Sequence, residues 1–290
     1  MPLIGFPALS LPATFAQEER VLGLPADIAV VIFDLDGVIY RGEQVLPGAL
    51  AAVAWVRERG WDTYFLTNNS TQTRRQYVRR LRTLGIKTDA EHIMTSAYAT
   101  ALCACEEGWA EQRVMVLGER GIYHELKAAG VNVFWAKEGG PADVVVVGMD
   151  RHCTYARLEA AHRAILGGAR FVASNRDNTY PVEDGTIPGA GIVVAGLEAS
   201  TGVRARLIGK PNTYPVEKLL QAAGVPPERA VIVGDRADTD IATGLRVGLW
   251  TVLVLTGITT AEEARALPPD RRPHRVIETL EELPGVLARS

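Results

Sequence analysis

The chain has 290 residues, of which 47% are hydrophobic, and its formal net charge is -3. This length predicts about two domains of roughly 100 to 200 residues each, with enough apolar residues for buried cores. The charge excludes a broad basic surface for nucleic acid, and no run approaches the roughly 18 apolar residues of a membrane span.

The cysteines and the N-terminal segment bear on where the protein works. Three cysteines cannot all pair within one chain, and Cys103 and Cys105 lie too close together on a predicted helix to bond comfortably. With Cys153 alone, we expect reduced thiols and a cytoplasmic protein. Residues 1–20 are apolar, but they lack a basic start and contain three prolines. We therefore expect a surface arm rather than a signal peptide.

The first third of the chain alternates between strand and helix patterns. Strands are predicted at 31–34, 61–67 and 93–95, and helices at 47–59, 74–82 and 96–106. The arginines of the second helix lie opposite an apolar stripe, so a solvated face is expected. This alternation predicts a parallel sheet with right-handed crossovers.

A second alternation follows and predicts an inserted α/β unit. Its strands are predicted at 113–117, 143–147 and 170–173, and its helices at 123–129, 155–167 and 192–199. Residues 175–191 have the polar, proline-rich and glycine-rich composition of a loop.

The strand and helix alternation of the first third of the chain then resumes. Strands are predicted at 206–208, 230–233 and 251–255. One helix is predicted to end at Gly224, and a closing helix is predicted at 276–283. The expected domains are therefore a core built from 1–107 and 202–290, and an insertion of 108–201.

Polar residues follow four predicted core strands, at the sheet edge where ligands bind. They are Asp34 and Asp36; Thr67, Asn68 and Asn69; Lys210; and Asp235 with Asp240. Clustered oxygen ligands without His or Cys favour Mg²⁺, and a nearby lysine suits a phosphate, so the cluster predicts phosphoryl transfer. Taken alone, Asp34 and Asp36 are equally compatible with a simple Asp-Gly turn.

Four segments in order, DLDGVIY, TNNS, GKP and GDRADTDI, resemble the motifs of haloacid dehalogenase-like (HAD) phosphatases. The insertion and the segment SNRDNTYP resemble the subgroup of 4-nitrophenylphosphatase, phosphoglycolate phosphatase and pyridoxal-phosphate phosphatase. The resemblance spans about Val31 to Leu283. It implies a Rossmann-like HAD core with a parallel sheet, an inserted α/β (type II) cap, and a Mg²⁺-dependent phosphoric monoester hydrolase that forms an aspartyl-phosphate.

The resemblance also implies roles for the core residues. Asp34 would attack phosphorus, and Asp36 would act as general acid and then as general base. The phosphate would be bound by Thr67, Asn68, Asn69 and Lys210. Mg²⁺ would be held by Asp34, the backbone carbonyl of Asp36 and Asp235. Asp240 would support these ligands without binding the metal itself. Loop capping stays open for Asn69, and helix capping is preferred for Asp238.

The cap would decide the substrate, a small phosphorylated metabolite. The loop Ser174 to Pro181 would reach the site, which makes Arg176, Asp177 and Tyr180 specificity candidates. Tyr180 could stack on an aromatic leaving group, and Arg176 could hold a carboxylate or second phosphate. Both could equally lie on the cap surface or in the cap contact of a homodimer. Neither a nucleic acid nor a membrane is expected as a partner.

Other interpretations receive less support. Gly189-Ala190-Gly191 precedes a helix as in a dinucleotide fingerprint, but Val194 replaces the third glycine and a predicted loop comes before it. A halide-displacing enzyme would not need Asp36 and Asp235, and the insertion lacks an obvious Schiff-base lysine for phosphonate hydrolysis. The alternatives that stay open are a non-catalytic HAD-fold phosphometabolite-binding protein and a phosphatase of nucleotides or sugar phosphates.

Overall fold

The computed structural model describes residues 24–288, so the expected N-terminal arm lies outside the described residues. The chain first forms β1 (Val30–Asp34), β2 (Tyr40–Arg41), β3 (Gln44–Val45), α1 (Ala49–Glu58), β4 (Asp62–Thr67), α2 (Arg74–Thr83), β5 (Ile93–Thr95) and α3 (Ser96–Glu106). Helix starts follow local capping chemistry. Thr73 and Gln76 form a capping box before α2, and the Thr95 side chain caps α3.

The next stretch forms a second α/β unit. Its elements are β6 (Arg113–Leu117), α4 (Arg120–Ala128), β7 (Asn132–Trp135), β8 (Val144–Val147), α5 (Tyr155–Leu166), β9 (Arg170–Ala173), β10 (Thr179–Val182), β11 (Gly185–Pro188), α6 (Ala190–Thr201) and β12 (Arg206–Leu207). All four valines of β8 are buried, as expected of a strand that is covered on both faces.

The last stretch returns to the first unit. Its elements are α7 (Tyr214–Ala223), β13 (Ala230–Gly234), α8 (Ala242–Val247), β14 (Trp250–Val254), α9 (Ala261–Ala266), β15 (Arg275–Ile277) and α10 (Leu283–Leu287). A π-helical turn, Ala237–Ile241, leads into α8. Within residues 24–288, no helix has the length and apolar character needed to cross a membrane.

The first sheet has the strand order β15-β14-β13-β1-β4-β5, and every neighbouring pair is parallel. Successive residues of β1 enter opposite cores: Val30 and Ile32 pack with α3 and α7, whereas Val31 and Phe33 pack with α1, α2 and α10. Because β1 lies between β13 and β4, the carboxyl ends of these three strands lie side by side.

The second sheet has the order β12-β9-β8-β6-β7 and is also parallel, while β10 and β11 form a separate antiparallel hairpin, here named the cap hairpin. One face of this sheet packs on α5 and α6. The other face shares a core with α3 and α4, and that core continues into the first sheet. The predicted α/β fold with a parallel core sheet and a second α/β unit is confirmed.

Several predicted elements were wrong in detail. Residues 206–208 were expected to be a core strand, but Arg206 and Leu207 pair with β9 in the second sheet. Residues 175–191 were expected to be a loop but contain the cap hairpin. The closing helix expected at 276–283 is instead β15, a turn and α10, and β7 was not predicted.

These errors have local causes. A two-residue strand such as β12 carries no pattern that tells which sheet it joins. In the cap hairpin, Pro181 and Pro188 gave the segment a loop composition, although Asp184-Gly185 between two β-prone runs was a usable hairpin signal. Val276 and Ile277 belong to a short edge strand, a length at which strand and helix patterns are hard to separate.

Candidate active site

The residues singled out at the strand ends converge on one cavity. Asp34 ends β1, Thr67 ends β4, and Asp235 directly follows β13. Lys210 reaches the same place from the loop after β12. The cavity is lined by these four residues and by Asp36, Asn68, Asn69, Asp177, Tyr180 and Asp240.

The cavity lies between the sheet edge and the cap hairpin, and it is small. About 40 Å³ is open to the centres of water molecules. A single water needs roughly 10–15 Å³ by this measure, so the space suits a few waters or a compact group. A larger molecule would require the cap hairpin to move away first.

Lys210 lies at the centre of the charge arrangement. Its side chain is 2% exposed, and Nζ lies 2.5 Å from both Asp34 Oδ1 and Asp240 Oδ1. Burial lowers the pKa of Lys210, but the carboxylates of Asp240 and Asp34 outweigh burial and raise that pKa above its ordinary value. Lys210 is therefore a permanent cation between two acids.

Three buried carboxylates form a possible cation-binding group. Oxygens of Asp34, Asp235 and Asp240 all lie within 4.8 Å of one another. Burial raises the pKa of Asp235 to about 7 and raises that of Asp34 well above its usual range. Such shifts show how strongly this site resists uncompensated negative charge.

The hydrogen bonds of these carboxylates distinguish their tasks. Asp240 Oδ1 accepts from Lys210 Nζ, and Oδ2 accepts from the Arg236 backbone N–H at 3.1 Å. Asp235 Oδ2 accepts from the Ile258 backbone N–H at 2.8 Å. Its Oδ1 is buried and has no hydrogen-bond partner within residues 24–288. Asp235 thus offers a free oxygen to a cation, whereas both oxygens of Asp240 are occupied.

Two glycines make room for the Asp235 carboxylate. A Cβ at Gly257 would lie 1.8 Å from Asp235 Oδ2, and one at Gly37 would lie 2.5 Å from the same atom. Gly37 also has a φ of +90°, which side-chain-bearing residues rarely adopt. The backbone therefore wraps Asp235 more closely than any larger residue would allow.

Asp36 lies next to the acid cluster in a different environment. Its Oδ1 accepts a hydrogen bond from the Tyr180 hydroxyl at 3.2 Å. Its Oδ2 is buried and finds no partner in the described part of the chain. Burial raises the pKa of Asp36 to about 6, against an opposing effect of Arg80. A carboxyl with such a pKa suits proton transfer near neutral pH.

The solvated face expected for the arginines of α2 was wrong for two of them. The Arg80 guanidinium is half-buried and lies 3.9 Å from the centre of the Tyr40 ring. Arg74 lies over the Tyr98 ring and pairs with Glu125. Since a helix pattern gives only the face of each residue, it could not show that these side chains reach neighbouring elements.

Both asparagines line the cavity, but protein groups engage their side chains. Asn68 Oδ1 accepts from the Lys210 N–H, and Nδ2 donates to the Lys210 carbonyl and to Asp177 Oδ1, each at 2.9 Å. Asn69 Oδ1 accepts from Thr71, which is a loop-capping contact, and Nδ2 donates to the Tyr180 hydroxyl. The asparagines therefore join the first unit to the cap hairpin and its preceding loop.

Arg176 does not reach the cavity, as its cap-surface alternative allowed, and Asp238 lies in a first helical turn, as expected, but without a capping bond. Arg176 does not line the cavity, because its guanidinium pairs with Glu198 on α6 and donates to the Ala205 carbonyl. Asp238 is exposed and pairs with Arg236 at 3.2 Å, with no side-chain capping bond. Neither contact is visible in local sequence patterns.

Sequence reasoning also missed residues of the site. Arg236 lines the cavity, and its position inside GDRADTDI was the available signal. Gly189 and Gly191 let α6 approach the loop before the cap hairpin: their Cβ atoms would lie 2.2 Å from the Asp177 carbonyl oxygen and 2.7 Å from that of Arg176. A strand does precede these glycines, but it belongs to the antiparallel cap hairpin.

Comparisons with known proteins agree with this geometry. The family model described as haloacid dehalogenase-like hydrolase matches residues 31–132, and a HAD-hydrolase-like model matches 207–283. Human glycerol-3-phosphate phosphatase is 38% identical in an alignment of 272 positions, and the match covers 85% of this chain and 85% of the human protein.

Two solved structures share most of the fold. A 4-nitrophenylphosphatase from Thermotoga maritima has a TM-score of 0.82 at 34% identity and covers 90% of this chain and 97% of its own. A glycerol phosphate phosphatase from Mycobacterium tuberculosis, solved in complex with magnesium, has a TM-score of 0.81 at 32% identity. The match covers 89% of this chain and 76% of that structure's chain. The similarity extends over both sheets of the present chain.

Proposed function

This chain belongs to the haloacid dehalogenase-like hydrolases, and we propose that it is a magnesium-dependent phosphatase of small phosphate monoesters. One observation carries the proposal: Lys210 is buried between Asp34 and Asp240, beside a free, buried oxygen of Asp235. This arrangement combines a nucleophile, a fixed cation and an unfilled oxygen ligand, which together suit a phosphoryl group.

In the proposed reaction, Asp34 attacks phosphorus as the bond to the leaving oxygen breaks, and Asp36 gives its proton to that oxygen. Asp36, now a carboxylate, takes a proton from the water that attacks phospho-Asp34, which releases phosphate and restores both acids. Lys210 neutralises Asp34 and the phosphoryl oxygens, and Thr67 at the end of β4 binds those oxygens. Asn68 and Asn69 hold these groups in place.

The donor set fits Mg²⁺. We assign its ligands to Asp34, the backbone carbonyl of Asp36 and Asp235, all of which offer oxygen, and Asp240 supports the site by holding Lys210. When bound, Mg²⁺ supplies positive charge that offsets repulsion between these carboxylates and the phosphoryl group. The buried Asp235 Oδ1, which has no hydrogen-bond partner among residues 24–288, supports this assignment.

We assign the second unit as a cap over the active site. The predicted insertion, 108–201, extends to β12 when that strand is counted with its sheet. Several residues of the second unit line the cavity, among them Asp177 and Tyr180, and its small volume supports an ester with a small leaving group. The cap would open to admit the ester and close to exclude water.

Assembly and location are further parts of the proposal. Tyr155 and Ile192, on α5 and α6, are large apolar residues that are 83% and 61% exposed, which supports a homodimer formed through the cap. Cys103, Cys105 and Cys153 are all free thiols, which supports a cytoplasmic location.

The experiment that tests this function is hydrolysis of 4-nitrophenyl phosphate at neutral pH, with Mg²⁺ and with EDTA. Turnover is expected with Mg²⁺ and is expected to vanish with EDTA and in Asp34→Asn. Asp27→Asn, at an exposed carboxylate that pairs with Arg229 and does not line the cavity, is the matched control and should keep its activity. Full activity in Asp34→Asn would contradict the assigned nucleophile. Absence of turnover on this ester and on a panel of alkyl, sugar and nucleoside phosphates would contradict the function.

A further inference from the structure

We propose that Tyr180 is a positioning residue that decides which oxygen of Asp36 carries the transferable proton. Its hydroxyl is bonded to Asp36 Oδ1, which leaves Oδ2 for the leaving group of the ester. The inference rests on the proposed phosphatase function. It gives Tyr180 a task different from stacking on a substrate.

The direction of the hydrogen bonds follows from a backbone group. The Thr71 N–H donates to Asn69 Oδ1 at 2.8 Å, and a backbone N–H can only donate. The side-chain oxygen of Asn69 is therefore the atom near Thr71, and Nδ2 faces Tyr180 at 3.2 Å. Nδ2 is a donor without acceptor capacity, so the Tyr180 oxygen accepts this bond. The Tyr180 proton is then directed to Asp36 Oδ1, also at 3.2 Å.

This direction fixes the protonation of Asp36. Because Oδ1 accepts from Tyr180, the acidic proton lies on Oδ2, the buried oxygen with no partner within residues 24–288. In the first step that proton moves to the ester oxygen while the bond from Asp34 to phosphorus forms and the bond to the leaving oxygen breaks. The Asp36 carboxylate that results keeps the hydrogen bond from Tyr180, which stabilises its charge.

The arrangement makes proton transfer depend on cap closure. Tyr180 belongs to the cap hairpin, whereas Asp36 belongs to the first unit. The hairpin also meets the first unit through Glu183, whose carboxylate accepts from the Glu43 backbone N–H at 3.3 Å. When the hairpin withdraws to admit an ester, Tyr180 leaves Asp36. The acid is thus oriented once the cap has closed over the substrate.

The test uses Tyr180→Phe, which removes the hydroxyl and keeps the ring, with Tyr123→Phe on α4 as the control. The value of kcat/KM is measured with Mg²⁺ for esters from 4-nitrophenyl phosphate to simple alkyl phosphates. Alkoxide leaving groups need the proton and 4-nitrophenolate hardly does, so Tyr180→Phe should lower kcat/KM about 10- to 100-fold on alkyl esters and less than about 3-fold on 4-nitrophenyl phosphate.

Two further variants test the same step. Asn69→Asp replaces the donor by an acceptor and draws the Tyr180 proton away from Asp36. Its added charge should weaken turnover of every ester, but the loss should be larger on alkyl esters than on 4-nitrophenyl phosphate. In an Asp36→Asn background, Tyr180→Phe should have no added effect. Equal loss on all esters, no loss on alkyl esters, or an additive loss with Asp36→Asn would overturn the inference. A wild type inactive on every ester would instead contradict the proposed function.

Discussion

The Lys210 ammonium neutralises the carboxylates of Asp34 and Asp240, and its removal should lower both stability and activity. Replacement by Met leaves Asp34 and Asp240 facing each other in a buried space, and breaking such a buried pair costs about 3–5 kcal/mol. We therefore expect Lys210→Met to lower the free energy of unfolding by about that amount and to abolish turnover, as measured by urea unfolding and ester hydrolysis.

The control for this prediction is Lys87→Met, at an exposed position, which should change stability by less than about 0.5 kcal/mol. A double variant, Lys210→Met with Asp240→Asn, removes one of the opposed charges and should recover part of the lost stability. Unchanged stability in Lys210→Met would show that the two acids do not depend on this ammonium.

Gly257 controls the placement of Asp235. A Cβ at this position would lie 1.8 Å from Asp235 Oδ2, so Gly257→Ala must displace the carboxylate. Since a displacement of about 1 Å can cost a factor of 100 in an active site, we expect at least about tenfold more Mg²⁺ for half-maximal activity. The measurement is the Mg²⁺ dependence of turnover.

Gly196→Ala is the matched control for Gly257→Ala. A Cβ at Gly196 would meet nothing within 4 Å, and the residue lies inside α6, where Ala is favoured over Gly. It should leave Mg²⁺ dependence unchanged and stabilise the protein by up to about 1 kcal/mol. Wild-type Mg²⁺ dependence in Gly257→Ala would argue against Asp235 as a metal ligand.

Single residues differ in how far the sequence predicted them. Asp34, Asp36 and Lys210 were predicted to meet at a shared edge of one parallel sheet, and the structure brings them together. For Lys210 the reason was wrong, because the strand that precedes it pairs with β9 in the second sheet. The half-buried position of Arg80 over the Tyr40 ring was not predicted, since helix periodicity gives a face and not the reach of a long side chain. The polar contact of Tyr180 was equally hidden, because its partner lies 144 residues away in the chain.

The loop that precedes the cap hairpin is held by α6. Glu198 accepts hydrogen bonds from Arg176, Arg204 and the Ala205 backbone N–H while remaining largely buried. Glu198→Gln removes the charge that holds Arg176, so we expect a loss of about 1–3 kcal/mol in the free energy of unfolding. Because Arg176 is next to Asp177, KM should rise more than kcat falls.

Glu159→Gln on α5 is the control for Glu198→Gln. Its carboxylate pairs with Arg163 on the helix surface and is 47% exposed. We therefore expect Glu159→Gln to lower the free energy of unfolding by less than about 0.5 kcal/mol. Urea unfolding and steady-state kinetics measure both effects. A fall in kcat at constant KM would mean that the loop acts on the reaction rather than on the binding of the ester.

Elements were predictable where their signals were local. Thr73 and Thr95 start α2 and α3 by capping, and a run of buried valines forms β8, so these elements follow from neighbouring residues. The cap hairpin and β12 depend on pairing partners elsewhere in the fold. Such short segments have too few residues for periodicity to decide their state.

Both sheets of the molecule pack on one apolar core that includes α3. Metal binding at the edge should therefore be visible in the melting temperature of the whole protein. The buried carboxylates are the groups through which pH and Mg²⁺ act on that temperature.

The sign of this effect follows from the raised pKa values. Burial raises the pKa of Asp235 from 3.8 to about 7, so without metal the folded state binds this proton more tightly than the unfolded state. The stability that this tighter proton binding to Asp235 adds is fully present below about pH 4 and is lost as pH rises to about 7. Mg²⁺ replaces the proton as the compensating charge. We therefore expect Mg²⁺ to raise the melting temperature clearly at pH 8 and little at pH 5.

The measurement is a thermal melt at both pH values, with Mg²⁺ or with NaCl at equal ionic strength, since salt alone screens exposed charges at both. Asp235→Asn is uncharged at either pH, so it should reduce both the loss of stability between pH 5 and pH 8 and the rise caused by Mg²⁺. Equal stabilisation by Mg²⁺ at pH 5 and pH 8 would mean that the ion does not bind where these protons do, and would move the metal site away from Asp235.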